Sequence, residues 1–127
     1  MIVKFTMKRE GKGEGADPSF TLGENYFVHG ITFRSEGRST MIGIQRGSDG
    51  TPVLVELKYF DIINPAIPSD WYFFDFKNGC YCLQPKEFGG NFWDEFHDDQ
   101  PIAEKVFLEI LNKIKTFHNE SKLDKIL

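Results

Sequence analysis

The chain is short of the residues that build stapled or metal-held scaffolds. Its two cysteines, Cys80 and Cys82, stand two positions apart, so no disulfide framework is available. Its three histidines, His29, His97 and His118, have no ligand spacing to that pair. A structural zinc site usually draws on two close pairs of ligands, so no metal and no cofactor are expected. No apolar run approaches the ~20 residues of a membrane span. Met1 to Glu10 alternates apolar and charged residues and lacks the apolar core of a signal peptide, which leaves a cytoplasmic location as the expectation, without membrane contact. Basic side chains are outnumbered, 15 Lys and Arg against 19 Asp and Glu, a net charge of −4. That balance argues against direct nucleic-acid binding through phosphates.

Aromatic residues are plentiful: 13 Phe, 4 Tyr and 2 Trp in 127 residues. The length fits one domain, taken as 1–119 with a frayed polar tail at 120–127. Ile2 to Lys8 alternates apolar and charged residues as a half-buried strand does. A second strand is expected over Asn25 to Arg34, with His29 sharing a face with Phe27 and Ile31 by parity. Strands over Met41 to Arg46 and Pro52 to Lys58 flank the turn Gly47-Ser48-Asp49-Gly50. Phe60 to Ile63 is a short apolar piece stopped by Pro65 and Pro68. Trp71 to Lys77 and Cys80 to Gln84 flank Asn78-Gly79, which predicts a two-residue hairpin loop. That loop would set Phe76 opposite Tyr81, Phe74 opposite Leu83 and Lys77 opposite Cys80. Lys86 to Gln100 reads as irregular. A helix follows, capped by Asp98 or Asp99, with Pro101 in its first turn. Ile102, Val106, Phe107, Ile110, Leu111, Ile114 and Phe117 recur on it at helical spacing. The expected fold is α+β: six to seven short antiparallel strands in a strongly bent sheet or small SH3-like barrel, plus one C-terminal amphipathic helix.

Gly11-x-Gly13-x-Gly15 is followed by Asp17-Pro18 and a strand. A dinucleotide fingerprint needs a helix there, so the glycines read as a hairpin loop. Nucleophile-elbow, metalloprotease and Walker signatures are absent. Nothing local supports a Cys–His nucleophile with His97 as base, and Asp94 or Glu95 as general acid/base beside His97 lacks the burial that tunes a carboxylate. No catalytic residue is assigned, and the chain is read as a non-enzyme.

Glu87 to Asp99 stands apart. It holds five carboxylates, no Lys or Arg, and four large aromatics. Crowded carboxylates repel one another and gain from a cationic partner, while aromatic anchors ringed by charge suit a tight protein contact. Trp93, Asp94, Glu95, Phe96, Asp98 and Asp99 are the candidate partner-binding residues. The competing structural role is that the rings plug the core while the acids solvate the loop and cap the helix.

One run of residues carries a resemblance: Leu22-Gly23, Tyr26-x-Val28-x-Gly30-Ile31-x-Phe33, Ile44, Asp49-Gly50-x-Pro52, Phe60-x-Ile62 and Ile67-Pro68-Ser69-Asp70-Trp71. Over about residues 20–75 it resembles small bacterial immunity proteins of polymorphic-toxin and contact-dependent-inhibition loci. The resemblance implies a short SH3-like sheet with appended elements. It also implies a function, neutralising a cognate toxin domain, often a nuclease, by covering its active site. It assigns no contact residue, because such surfaces differ from pair to pair, and the acidic-aromatic segment lies outside it. A general protein-interaction adaptor is the alternative, followed by a small-ligand-binding protein or enzyme with a pocket between sheet and helix.

Overall fold

A computed structural model describes residues 1–6 and 20–126, with side chains through 119. Met7, Lys8 and the Gly11–Gly15 loop lie outside the described residues.

The fold is α+β, with eight strands among the described residues in two antiparallel sheets rather than a closed barrel. The first sheet has the order β2-β1-β6, formed by Asn25–Phe27, Ile2–Phe5 and Phe60–Asn64. The second has the order β5-β4-β3-β8-β7, from Pro52–Glu56, Met41–Gln45, Gly30–Phe33, Tyr81–Pro85 and Trp71–Asp75. The single strand expected over Asn25 to Arg34 is therefore two. The chain breaks at Val28 and His29, whose amides donate into different partners: Val28 to the Met1 carbonyl at 3.0 Å, His29 to the Gly43 carbonyl at 2.9 Å. Changing sheets there lets Val28 enter the core between the sheets, where Val3, Phe5, Ile31, Ile42, Ile44 and Phe60 are also buried. The α-amino group of Met1 donates to the Ala66 carbonyl at 2.6 Å and lies 3.1 Å from His118 Nε2. Burial pushes that amine down from 8.0 to about 6.

The break also corrects the position of His29. Its imidazole lies against Gly43, on the face of the second sheet opposite Ile31 and Ile42, since Gly43 alternates with Ile42 and Ile44 along β4.

The β4–β5 turn forms as its residues dictate. Asp49 accepts from the Thr51 amide at 3.0 Å and pairs with Arg46 at 2.8 Å, while Gly50 takes a φ of +73°. The β7–β8 hairpin differs from expectation by one residue. Its loop has three residues, Lys77, Asn78 and Gly79, with φ of +71°, +56° and +77°. The Asp75 carboxylate accepts from the Lys77 amide at 2.8 Å, and the Phe76 amide donates to the Cys80 carbonyl at 2.9 Å. With Lys77 drawn into the loop, Phe74 faces Cys82 and Phe73 faces Leu83, and Cys80 no longer stands opposite Lys77. A one-residue slip exchanges cross-strand partners along the whole hairpin: Phe73 stacks on Tyr81 across the strands at 5.5 Å, while Phe74 stacks on Phe76 of its own arm at 6.2 Å.

Lys86 to Gln100, expected to be irregular, contains a 3-10 turn, Lys86–Phe88, and a short helix, α1, Phe92–His97. The C-terminal helix α2 starts at Pro101 and its backbone continues to Ile126. Ala103, Phe107, Ile110, Leu111 and Ile114 are buried against Trp71, Phe88 and Phe92 in a second apolar cluster. Ile102, assigned to the same stripe from sequence, is 79% exposed. Lys105 and Glu109 form an i,i+4 ion pair at 4.0 Å. Among the described residues, no helix is long and apolar enough to cross a membrane.

Candidate functional site

Helix α1 divides the acidic-aromatic segment into two faces. Phe92 is buried and stacks on Phe88 at 4.7 Å, and Phe96, one turn later, meets Phe107 of α2 at 5.1 Å. Trp93 packs 5.0 Å from Phe88 and 6.0 Å from Phe107. Trp93 and Phe96 are half-buried, so each ring anchors the helix and still presents part of its surface. Asp94, Glu95, Asp98 and Asp99 are exposed. This division, rings to the core and carboxylates to water, is the structural role weighed from the sequence, and the half-buried rings of Trp93 and Phe96 leave aromatic surface beside the acids.

The carboxylates hold their places through backbone geometry. Asp94 and Glu95 stand in the first turn of α1, where the positive end of the helix dipole favours them. The Asp98 amide donates to the Asp94 carbonyl at 3.0 Å, and the Asp99 amide to the Phe96 carbonyl at 3.1 Å. Asp99 adopts a φ of +57°, the left-handed conformation that ends helices. Asp98 and Asp99 therefore close α1 and turn the chain into Pro101. The reading of either one as the cap of α2 is corrected, since the Glu104 amide donates to the Gln100 carbonyl at 3.2 Å.

Arg46 pairs with Asp49, Lys58 with Glu56, Lys77 with Asp75 and Lys105 with Glu109. Among the described residues, no ion pair involves Asp94, Glu95, Asp98 or Asp99. Beside them a cleft of about 450 Å³ opens between the β4–β5 turn and the helices, with Asp99 and Glu104 on its rim and Phe96 and Phe107 below. An arginine or lysine from another molecule fits that layout: its stem lies on the rings, its head meets the carboxylates.

The other chemistry-bearing residues are differently placed. His97 is exposed, its ring 6.3 Å from Trp93. Cys82 is buried, receives the Thr32 hydroxyl at 3.8 Å, and burial pushes its thiol up, which keeps it protonated and unreactive. His29 is buried in a groove that the sequence reading missed, because strand parity aimed it at the opposite face. A signal was available: Gly30 and Gly43, directly paired across β3 and β4, are the glycines inside strands that mark a close approach by another group. The chain matches no family model, no curated protein and no solved structure with which it was compared.

Proposed function

We propose that this chain is a non-enzymatic immunity protein. It binds and blocks one cognate toxin domain, a nuclease by the charge it complements, through Trp93, Asp94, Glu95, Phe96, Asp98 and Asp99. The observation that carries the reading is the group of four exposed carboxylates without a basic partner among the described residues, two in the first turn of α1 and two just beyond its end, with Asp99 lining the adjacent cleft. A surface that grips phosphates is basic, so an acidic helix is its electrostatic complement and steers the encounter. The exposed parts of Trp93 and Phe96 give the contact its apolar centre. The partnership operates in the cytoplasm, where a nuclease meets its substrate.

The test is growth of a host producing the C-terminal toxin domain encoded by the adjacent upstream reading frame, with and without this protein. Rescue is expected, and the double variant Asp94→Lys/Glu95→Lys should lose it. Binding by the purified double variant should weaken roughly tenfold or more, with its circular dichroism unchanged. A folded double variant that binds as before moves the contact to another surface. Failure of the unaltered protein to rescue overturns the immunity reading, and weak binding to several basic proteins instead would make the chain an adaptor.

A further inference from the structure

The two sheets end in four edge strands among the described residues, β2, β6, β5 and β7, and these are unequally defended. A sheet edge presents unpaired amides and carbonyls, and proteins blunt it with short strands, prolines and charges. β2 has three residues, β5 opens with Pro52, and β6 carries Asp61 in its body and runs into Pro65. β7 has none of these over Trp71-Tyr72-Phe73-Phe74 and meets its first charge at Asp75.

Its side chains are exposed on both faces. Successive residues of a strand point to opposite sides of the sheet, yet Tyr72 is 54% exposed and Phe73 63%. On one side Tyr72, Phe74 and Phe76 form a ladder, with ring centroids 6.4 and 6.2 Å apart. Phe74 is seated against Gly89, where an added Cβ would stand 2.7 Å from the ring, so the ladder is in place before any contact forms.

The hydrogen-bond pattern identifies the free main-chain groups. The Phe76 amide donates to the Cys80 carbonyl, and antiparallel pairs alternate between bonded and non-bonded. Phe74–Cys82 and Tyr72–Gln84 are thus the bonded pairs of the hairpin, and Trp71–Pro85, Phe73–Leu83 and Asp75–Tyr81 the non-bonded ones. Pro85 fits this phase, having no amide to give. The amides and carbonyls of Phe73 and Asp75 therefore point away from the sheet, while the Trp71 amide is taken up by the Pro68 carbonyl at 3.3 Å.

We propose that β7 pairs with β7 of a second copy of this chain, antiparallel about a twofold axis at Phe74, so that two five-stranded sheets become one. In that register Phe73 of each copy stands opposite Asp75 of the other, and every outward amide and carbonyl of these residues is paired. Phe74 meets its own counterpart at the axis and Tyr72 meets Phe76, which joins the two ladders into one row of stacked rings. The charges also match. Asp70 precedes the strand and Lys77 follows it, and Asp70 has no ion pair among the described residues. The antiparallel arrangement brings each Asp70 beside the other copy's Lys77, whereas a parallel one would set Asp70 beside Asp70. This fit of the edge to itself selects a second copy as its occupant, and the contact closes at two because each copy spends the same strand. The exposed rings and the strand beneath them bury roughly 1,000 Å² over both copies, near the lower limit for a specific contact, so the Kd is on the order of micromolar. None of the residues of the carboxylate face takes part, so the dimer is read whether or not the toxin contact exists.

Sedimentation equilibrium of the full-length protein should show monomer passing to dimer between about 5 and 500 µM. Amide hydrogen exchange at the two ends of that range locates the contact. Phe73 and Asp75 should slow roughly tenfold or more at the high concentration, while Tyr72 and Phe74, bonded to β8 in either state, change less. Phe73→Pro removes an outward amide and spares the bonds to β8, so it should stay monomeric with unaltered circular dichroism. Should that variant fail to fold, exchange on the unaltered protein decides by itself. A monomer throughout the range overturns the proposal, as does a dimer in which Phe73 and Asp75 exchange as fast as in the monomer. Protection of those two amides only on addition of the toxin domain would give the edge to a strand of that partner and overturn pairing between copies.

Discussion

Gly43 and His29 show how one residue sets the environment of another. A Cβ built on Gly43 would stand 2.5 Å from His29 Cε1 and 2.8 Å from Nδ1, and the ring has Phe88, Trp93 and Phe107 against it. Glycine in a strand interior ordinarily costs roughly 0.5–1 kcal/mol relative to alanine, so Gly43→Ala would stabilise an open site. Here overpacking wins, and the expected outcome is a loss of about 1–3 kcal/mol, measured as a lower urea midpoint at unchanged slope. Gly30→Ala, where the nearest atom is Gln84 Cβ at 3.5 Å, should cost less. The same burial predicts a pH dependence. The folded pKa of His29, about 4, lies below the ordinary 6.5, so the unfolded chain binds more protons between those values. Stability therefore rises with pH across that window and is lost on acidification, by about 3 kcal/mol from this group. Denaturation series at pH 7, 5.5 and 4 should show that slope, and His29→Phe should flatten it.

Helix α2 tests how far periodicity specifies a buried face. Ile102 and Ile110 both fit the apolar stripe of the sequence, yet Ile102 is 79% exposed and Ile110 4%. The stripe is centred on Phe107, Leu111 and Ile114, with Ala103 and His118, which the apolar spacing did not include, also buried on it. Ile110→Ala should cost about 2–5 kcal/mol and Ile102→Ala less than about 0.5 kcal/mol, read by thermal or urea unfolding. The helix was legible because its spacing runs over many turns. Helix α1 was not: six residues, half of them aromatic, have no intrinsic claim to helicity, and the helix exists because Phe92, Trp93 and Phe96 find Phe88 and Phe107. The β7–β8 hairpin was legible in kind and wrong in register. Asn-Gly favours a two-residue loop, but the Asp75 carboxylate holds Lys77 in the loop as well.

At the scale of the molecule, class and strand positions were readable, while sheet membership was not. Alternation reports that a residue is in a strand but not which partner the strand pairs with. Hence Asn25 to Arg34 read as one strand where two sheets share it. The acidic face was found because composition survives folding, and the groove was missed because it depends on a backbone break no local pattern announces. That break also makes a built-in gauge of cooperativity. The amides of Val28 and His29, adjacent in the chain, close onto Met1 in one sheet and Gly43 in the other. If the two sheets open together, both amides should exchange with deuterium at the same opening free energy. If the three-stranded sheet detaches first, Val28 should exchange faster than its neighbour. One peptide bond then separates two clocks, and their difference measures how tightly the halves of this fold keep time.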